Sequence, residues 1–151
     1  MVLNPVRFIS LLCTALALAP AIAHLLELPH KIQLSREEYL TVQQIYRGWS
    51  LLGIVVISAL LSTASLTILV RKQRTASMLT LIALLCIVAA QIVFWTFTYP
   101  ANQATNNRTE LPTNGQDLRI RWEYSHATGA GLTLIALITL IVSVLVREEK
   151  R

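Results

Sequence analysis

The chain has 151 residues, of which 54% are hydrophobic and only 14% charged, with a mean hydropathy of +0.57 and a formal net charge of +5. That balance excludes an ordinary water-soluble domain, and the absence of a basic stripe interleaved with exposed aromatics excludes a nucleic-acid partner. The two cysteines, Cys13 and Cys86, lie inside apolar stretches and read as small buried hydrophobes, which excludes a disulfide framework.

A hydrocarbon core about 30 Å thick needs roughly 20 apolar residues in helical form. Four stretches meet that length, at approximately 8–28, 51–70, 78–99 and 124–146. The expected fold is therefore all-α: a single-domain integral membrane four-helix bundle over 1–151, with the second and fourth helices extended beyond the bilayer on the outer side. Its first partner is the lipid bilayer.

At the start of the chain, Arg7, an apolar run and Ala21-Ile22-Ala23 imitate a secretory signal with a cleavage site before His24. We read this stretch as a retained first helix. Pro29 has no N–H to donate and disfavours helix at Leu28, so that helix is expected to kink or end there. Ser35 with Glu38 is a capping-box pattern, and a second helix is expected to begin near Arg36 and run through Val70, with Tyr46 and Trp49 in the interfacial aromatic belt. The stretch Ala101 to Gln116 reads as a loop and contains an Asn107-Arg108-Thr109 glycosylation sequon by pattern. The fourth helix starts early, at about Asp117. The small pairs Ser125/Gly129 and Ala127/Gly131 predict close helix packing below His126.

Basic residues set the expected orientation. Arg7, Arg71, Lys72, Arg74, Arg147, Lys150 and Arg151 crowd short segments on one side, while Lys31, Arg36, Arg47, Arg108, Arg119 and Arg121 spread over the longer connections of the other. The positive-inside bias then places both termini in the cytoplasm.

Ionisable groups near apolar helices are costly, so they tend to face the bundle interior and mark function. The first helix carries His24 and Glu27, and the fourth carries Glu123 and His126, each pair three residues apart. Steps of about 100° put positions i and i+3 on one helix face, so each pair can aim an imidazole and a carboxylate at one point. These four are the candidate catalytic residues and the candidate ligands of a metal. Because the second and third helices supply no matching carboxylate, a single transition metal or no metal is more economical than a di-metal centre. His30 lies about 120° round from His24 and falls off this face.

On the third helix Gln91, Trp95, Thr98 and Asn102 form a polar stripe at spacings of four, three and four. On the second, Arg47 is placed to pair with Glu27 or Glu123 or to hold an anionic substrate group. Arg47, Asn102, Trp95, Gln91 and Trp122 are the candidate substrate-binding residues. By the assigned topology His24, Glu27, Arg47, Asn102, Glu123 and His126 share the outer end of the bundle.

The segment Arg119-Ile120-Arg121-Trp122-Glu123-Tyr124-Ser125-His126-Ala127 resembles the Arg-x-Arg-Trp-Glu-x-x-His-Ala signature of the anthrone-oxygenase-like membrane proteins, and Pro100-Ala101-Asn102 looks like that family's Pro-x-Asn element at the end of the third helix. The family pattern continues with an Arg where this chain has Thr128 and Gly129. The resemblance implies an oxidoreductase of the oxygenase type acting on a small hydrophobic or aromatic substrate. A histidine paired with a carboxylate suits removal of an acidic carbon-bound proton. Two other readings stand beside it. One is a haem-binding or electron-transfer subunit with His24 and His126 as axial ligands. The other is a non-enzymatic accessory subunit that packs a membrane partner or a second copy through the small-residue face.

Overall fold

The structure, a computed structural model, describes residues 2–107, 109–110 and 112–146. Arg108, Arg147, Lys150 and Arg151, counted in the charge bias, lie outside the described residues, and so does the centre of the sequon. The described chain forms α1 (Leu3–Lys31), α2 (Arg36–Gln43), α3 (Leu52–Leu69), α4 (Arg74–Val93), α5 (Tyr99–Ala104) and α6 (Gly115–Leu145). Two short 3-10 turns, Gln44–Tyr46 and Trp49–Leu51, link α2 to α3, and a π-helical segment, Phe94–Thr98, joins α4 to α5.

Four spans are long and apolar enough to cross a membrane: Leu3–Lys31, Trp49–Leu69, Arg74–Ala104 and Gly115–Leu145. This is an all-α membrane-type bundle. The helices pack in a ring, α1 against α3 and α6, and α4 against α3 and α6. Large apolar side chains such as Ile54, Ile57, Leu61, Leu85 and Ile138 stay exposed, which is the surface that lipid would cover.

One end of the ring is purely hydrophobic. Leu66, Val70, Ala76, Ala83, Ile87, Ala136 and Leu140 form its core, with Leu3 and Val6 packed against them, so the start of α1, the α3–α4 link and the end of α6 meet there. Three buried hydroxyls turn back on their own helices, Ser10 donating to the Val6 carbonyl at 2.8 Å, Thr80 to Ala76 at 2.9 Å and Ser143 to Leu140 at 2.7 Å, whereas those of Thr14 and Thr63 have no hydrogen-bond partner. Among the described residues every buried charged side chain, and both partly or fully buried histidines, lie at the opposite end.

Three expectations need correction. First, of the kink or end expected at Leu28, the end does not occur, and α1 continues through Pro29 to Lys31. Proline so close to a helix end removes a single bond, and the Ile32 N–H closes the next turn on the Leu28 carbonyl at 3.1 Å. Second, the helix begun at Arg36 is not continuous to Val70. Arg47 is extended (φ −60°, ψ 128°) and Gly48 adopts φ 88°, a left-handed conformation that favours glycine and breaks the helix between Tyr46 and Trp49. Third, an added Cβ at Gly129 or Gly131 would meet nothing within 4 Å, so these glycines do not serve close packing between helices of this chain. The small residues of α6 that are buried are Ser125, Ala130, Ala136 and Ser143.

The capping box forms as expected. The Glu38 N–H donates to Ser35 Oγ at 3.2 Å and the Ser35 N–H donates to Glu38 Oε2 at 2.9 Å. Hydrogen bonding to the Ser35 side chain, and then to its backbone N–H, holds the Glu38 carboxyl below the ordinary carboxylate range. A lowered folded-state pKa means a contribution present above the unfolded value and lost as pH falls through the folded one. Ser35→Ala should cost about 1 kcal/mol at neutral pH. The check is a melting-temperature comparison with wild type, and the gap should narrow in acid.

Candidate functional site

The polar end is built on α1, α2, the Gln44–Trp49 corner and the first turns of α6. Lys31, brought in because α1 passes through Pro29, is its hub. Its ammonium is only 3% exposed as a residue and lies 3.1 Å from Glu123 Oε2, 3.3 Å from Glu27 Oε2, 3.2 Å from the Tyr46 hydroxyl and 3.4 Å from His24 Nδ1. It also stands over the Tyr46 and Trp122 rings, at 5.1 and 5.0 Å from their centroids. A lysine is rarely buried unless paired, and here two carboxylates and two aromatic faces compensate it.

Around this cation the candidate residues sort themselves. Glu123 is fully buried and accepts a second bond from the Tyr39 hydroxyl at 3.0 Å. Burial, and then the Glu123 carboxylate beside it, push the Tyr39 hydroxyl far above its ordinary range, so it remains a donor throughout the accessible pH range. Glu27, 38% exposed at its side chain, accepts from the Tyr46 hydroxyl and sits 3.8 Å from His24 Nδ1. His24 is buried, and its ring packs on His126 at 4.4 Å between centroids, on Tyr46 at 4.5 Å and on Trp122 at 5.0 Å. His126 is half-buried and packs on Trp122 at 4.2 Å. Asn102 of α5 accepts from Trp122 Nε1 at 2.9 Å, which fixes the indole between Lys31 and His126. Asn102→Ala should leave that N–H without its partner and cost about 1–2 kcal/mol, read as a lower melting temperature.

His24, Glu27, Glu123, His126, Trp122 and Asn102 therefore converge. Arg47, Trp95 and Gln91 do not. Arg47 is exposed and reaches Gln44 Oε1 at 3.2 Å rather than either carboxylate, because the extended backbone at Arg47 and the left-handed Gly48 turn its side chain away. Trp95 is 59% exposed and packs on Phe94 and Tyr99. The π-helical segment beginning at Phe94 breaks the uniform 100° stepping on which the Gln91–Trp95–Thr98–Asn102 stripe depended. Thr98 still turns inward, sharing a 2.7 Å bond with Ser125 Oγ, whereas half-buried Gln91 lies about two turns below it. His30 is exposed, off the site face.

The four-ligand metal centre does not take shape. Among the described residues no group of three His, Cys, Asp or Glu side chains is arranged to hold a metal ion. The Lys31 ammonium stands between Glu27 and Glu123 as their counter-charge, in the position a cation bound by both would need. Nor do the histidines fit as axial haem ligands, since metal–nitrogen bonds of about 2 Å on each side would hold the rings apart, whereas these are in contact.

Sequence reasoning missed Lys31, Tyr46, Tyr39 and Arg119 as parts of the site. Arg119 clasps the loop between α1 and α2, donating from Nη1 to the Leu34 carbonyl at 2.8 Å and to Ile32 at 3.4 Å, and from Nη2 to Ser35 at 3.3 Å. Its guanidinium also covers the Tyr39 ring at 4.2 Å. That clasp ties the α1–α2 loop and the start of α2 to α6.

The sequence matches no protein-family model, no curated protein and no solved structure. The geometry must carry the functional reading on its own, beside the short motif resemblance.

Proposed function

We propose that this chain is a membrane-embedded oxidoreductase of the oxygenase type that removes an acidic carbon-bound proton from a small hydrophobic aromatic substrate and lets the resulting carbanion react with dioxygen. The observation that supports this reading most is the His24–His126 ring contact, backed by a buried, ion-paired lysine at one end of an otherwise apolar bundle. Such an arrangement places an imidazole base at the border of the apolar bundle and holds a fixed charge behind it. The Arg-x-Arg-Trp-Glu-x-x-His-Ala resemblance favours the same chemistry.

In this scheme His126, the less buried of the two rings, takes the proton. His24 packs against it, and the Glu27 carboxylate, 3.8 Å from His24 Nδ1, is placed to offset positive charge on the pair. The Trp122 and Trp49 rings, the latter 5.4 Å from His24, supply flat apolar walls suited to an aromatic substrate. For a methylene substrate the balance is closed. Two hydrogens leave carbon, one oxygen atom of dioxygen becomes a carbonyl, and the other leaves as water. No protein-bound metal enters any step. With both termini read as cytoplasmic from the basic-residue bias, the site opens toward the extracytoplasmic side.

The test is dioxygen uptake by detergent-purified protein offered a panel of methylene-bridged phenolic aromatics, together with deuterium exchange at the methylene under anaerobic conditions. Uptake of one dioxygen per substrate, and exchange without dioxygen, are the expected results. Neither activity with any panel member would overturn the reading.

A further inference from the structure

Tyr39 and Trp122 also line a cavity of about 40 Å³ between α2 and the facing ends of α5 and α6. Its apolar wall is Leu40, Ala101, Leu118 and the Trp122 ring. Its polar lining includes Gln43, which is only 1% exposed and whose Nε2 and Oε1 both lack a hydrogen-bond partner, and Arg119, whose Nε is likewise buried and unpartnered. Among the described residues the other buried side-chain atoms without a hydrogen-bond partner are Glu123 Oε2, which is ion-paired with Lys31 at 3.1 Å, and the single hydroxyls of Thr14 and Thr63. A buried primary amide with neither atom satisfied carries a desolvation cost that a native fold normally offsets with water or a ligand.

We infer that this cavity is a binding site for the carboxamide edge of a small neutral ligand. Gln43 offers one acceptor and a donor side by side, and Arg119 Nε adds a second donor. The complement is one donor beside one strong acceptor with two lone pairs, which is a primary amide, a lactam or a protonated carboxyl. Charge narrows the choice. An anion would face Gln43 Oε1 and the Glu110 carboxylate that lines the same cavity, and a cation would face Arg36 and Arg119. At about 10–15 Å³ per water-sized site the space holds roughly three heavy atoms, enough for the amide group itself. The rest of the ligand passes out between Arg36, Leu40 and Pro112, while its flat part lies against Trp122. Because that indole also packs on His126, occupancy would be sensed at the histidine pair.

Benzamide is a suitable probe, with benzoate and benzamidine as its anionic and cationic counterparts of the same shape. Titrated into detergent-purified full-length protein and followed by tryptophan fluorescence and saturation-transfer NMR, benzamide should bind at least tenfold more tightly than either ion. Gln43→Leu, which removes both unsatisfied atoms at similar volume, should abolish benzamide binding while keeping a cooperative melt. Leu40→Phe, which narrows the mouth and touches no polar atom, should weaken it severalfold. Equal affinity for the three probes, no benzamide binding, or binding unchanged in Gln43→Leu would each overturn the assignment. A Gln43→Leu protein that melts higher with wild-type binding would mark the amide as an unsatisfied core group only. None of these outcomes depends on oxygenase activity, so the inference fails or stands separately from it.

Discussion

Lys31→Met should destabilise the protein by about 3–5 kcal/mol, the largest effect expected of any single substitution outside the apolar core. Methionine matches the length and packing of the lysine stem, so the loss is electrostatic. Without the ammonium, Glu123 keeps only the Tyr39 hydroxyl as a donor to a fully buried carboxylate, and Glu27 loses the cation at 3.3 Å. Breaking a buried pair from one side leaves an uncompensated charge, which is far costlier than removing both members. The change would be read as a melting temperature in detergent, and as retention of purified protein in a single folded species. A shift no larger than that of an exposed substitution such as Arg47→Ala would contradict the buried-hub description.

The second large effect concerns turnover. His126→Gln should lower the rate of proton abstraction by about 10²–10⁴-fold, the range expected when a positioned general base is removed. Glutamine keeps a polar side chain of similar reach but cannot take the proton. His24→Gln should cost less, since His24 acts through its neighbour. Its signature is a displaced pH–rate profile, because the ring that stands between His126 and the Glu27 carboxylate would be gone. Anaerobic deuterium exchange isolates the proton step from the oxygen step. Unimpaired exchange in His126→Gln would assign the base elsewhere.

Much of the architecture was legible because it follows from solvent. Four apolar stretches of membrane-crossing length can be found by composition, and the capping box at Ser35 and Glu38 by spacing. The candidate site was legible in its histidines and carboxylates for the same reason: i and i+3 pairs on helices that are otherwise apolar stand out. Lys31 was hidden by a correct rule applied one turn too early. Positions 24, 27 and 31 share a helix face, yet Pro29 argues for a helix end, and near a terminus proline removes only one bond. Arg47 and Trp95 failed for the converse reason. Both assignments extrapolated uniform helical stepping across a break, the left-handed Gly48 in one case and the π-helical turn before Pro100 in the other. A proline at position 100 cannot donate to the Thr96 carbonyl, and widening the preceding turn accommodates its ring, which is a usable signal for such a break. Tyr46 reads as an interfacial aromatic, and only tertiary packing shows that its hydroxyl serves Glu27 and that of Tyr39 serves Glu123.

Stability in a double-mutant cycle on Lys31 and Glu123 tests the central assignment most directly. Lys31→Met and Glu123→Leu should each lower the melting temperature strongly, while the protein carrying both should be more stable than either single variant, since no unpaired buried charge remains. Losses that simply add in the double variant would show that the two side chains do not meet, and would remove the hub on which the site is built.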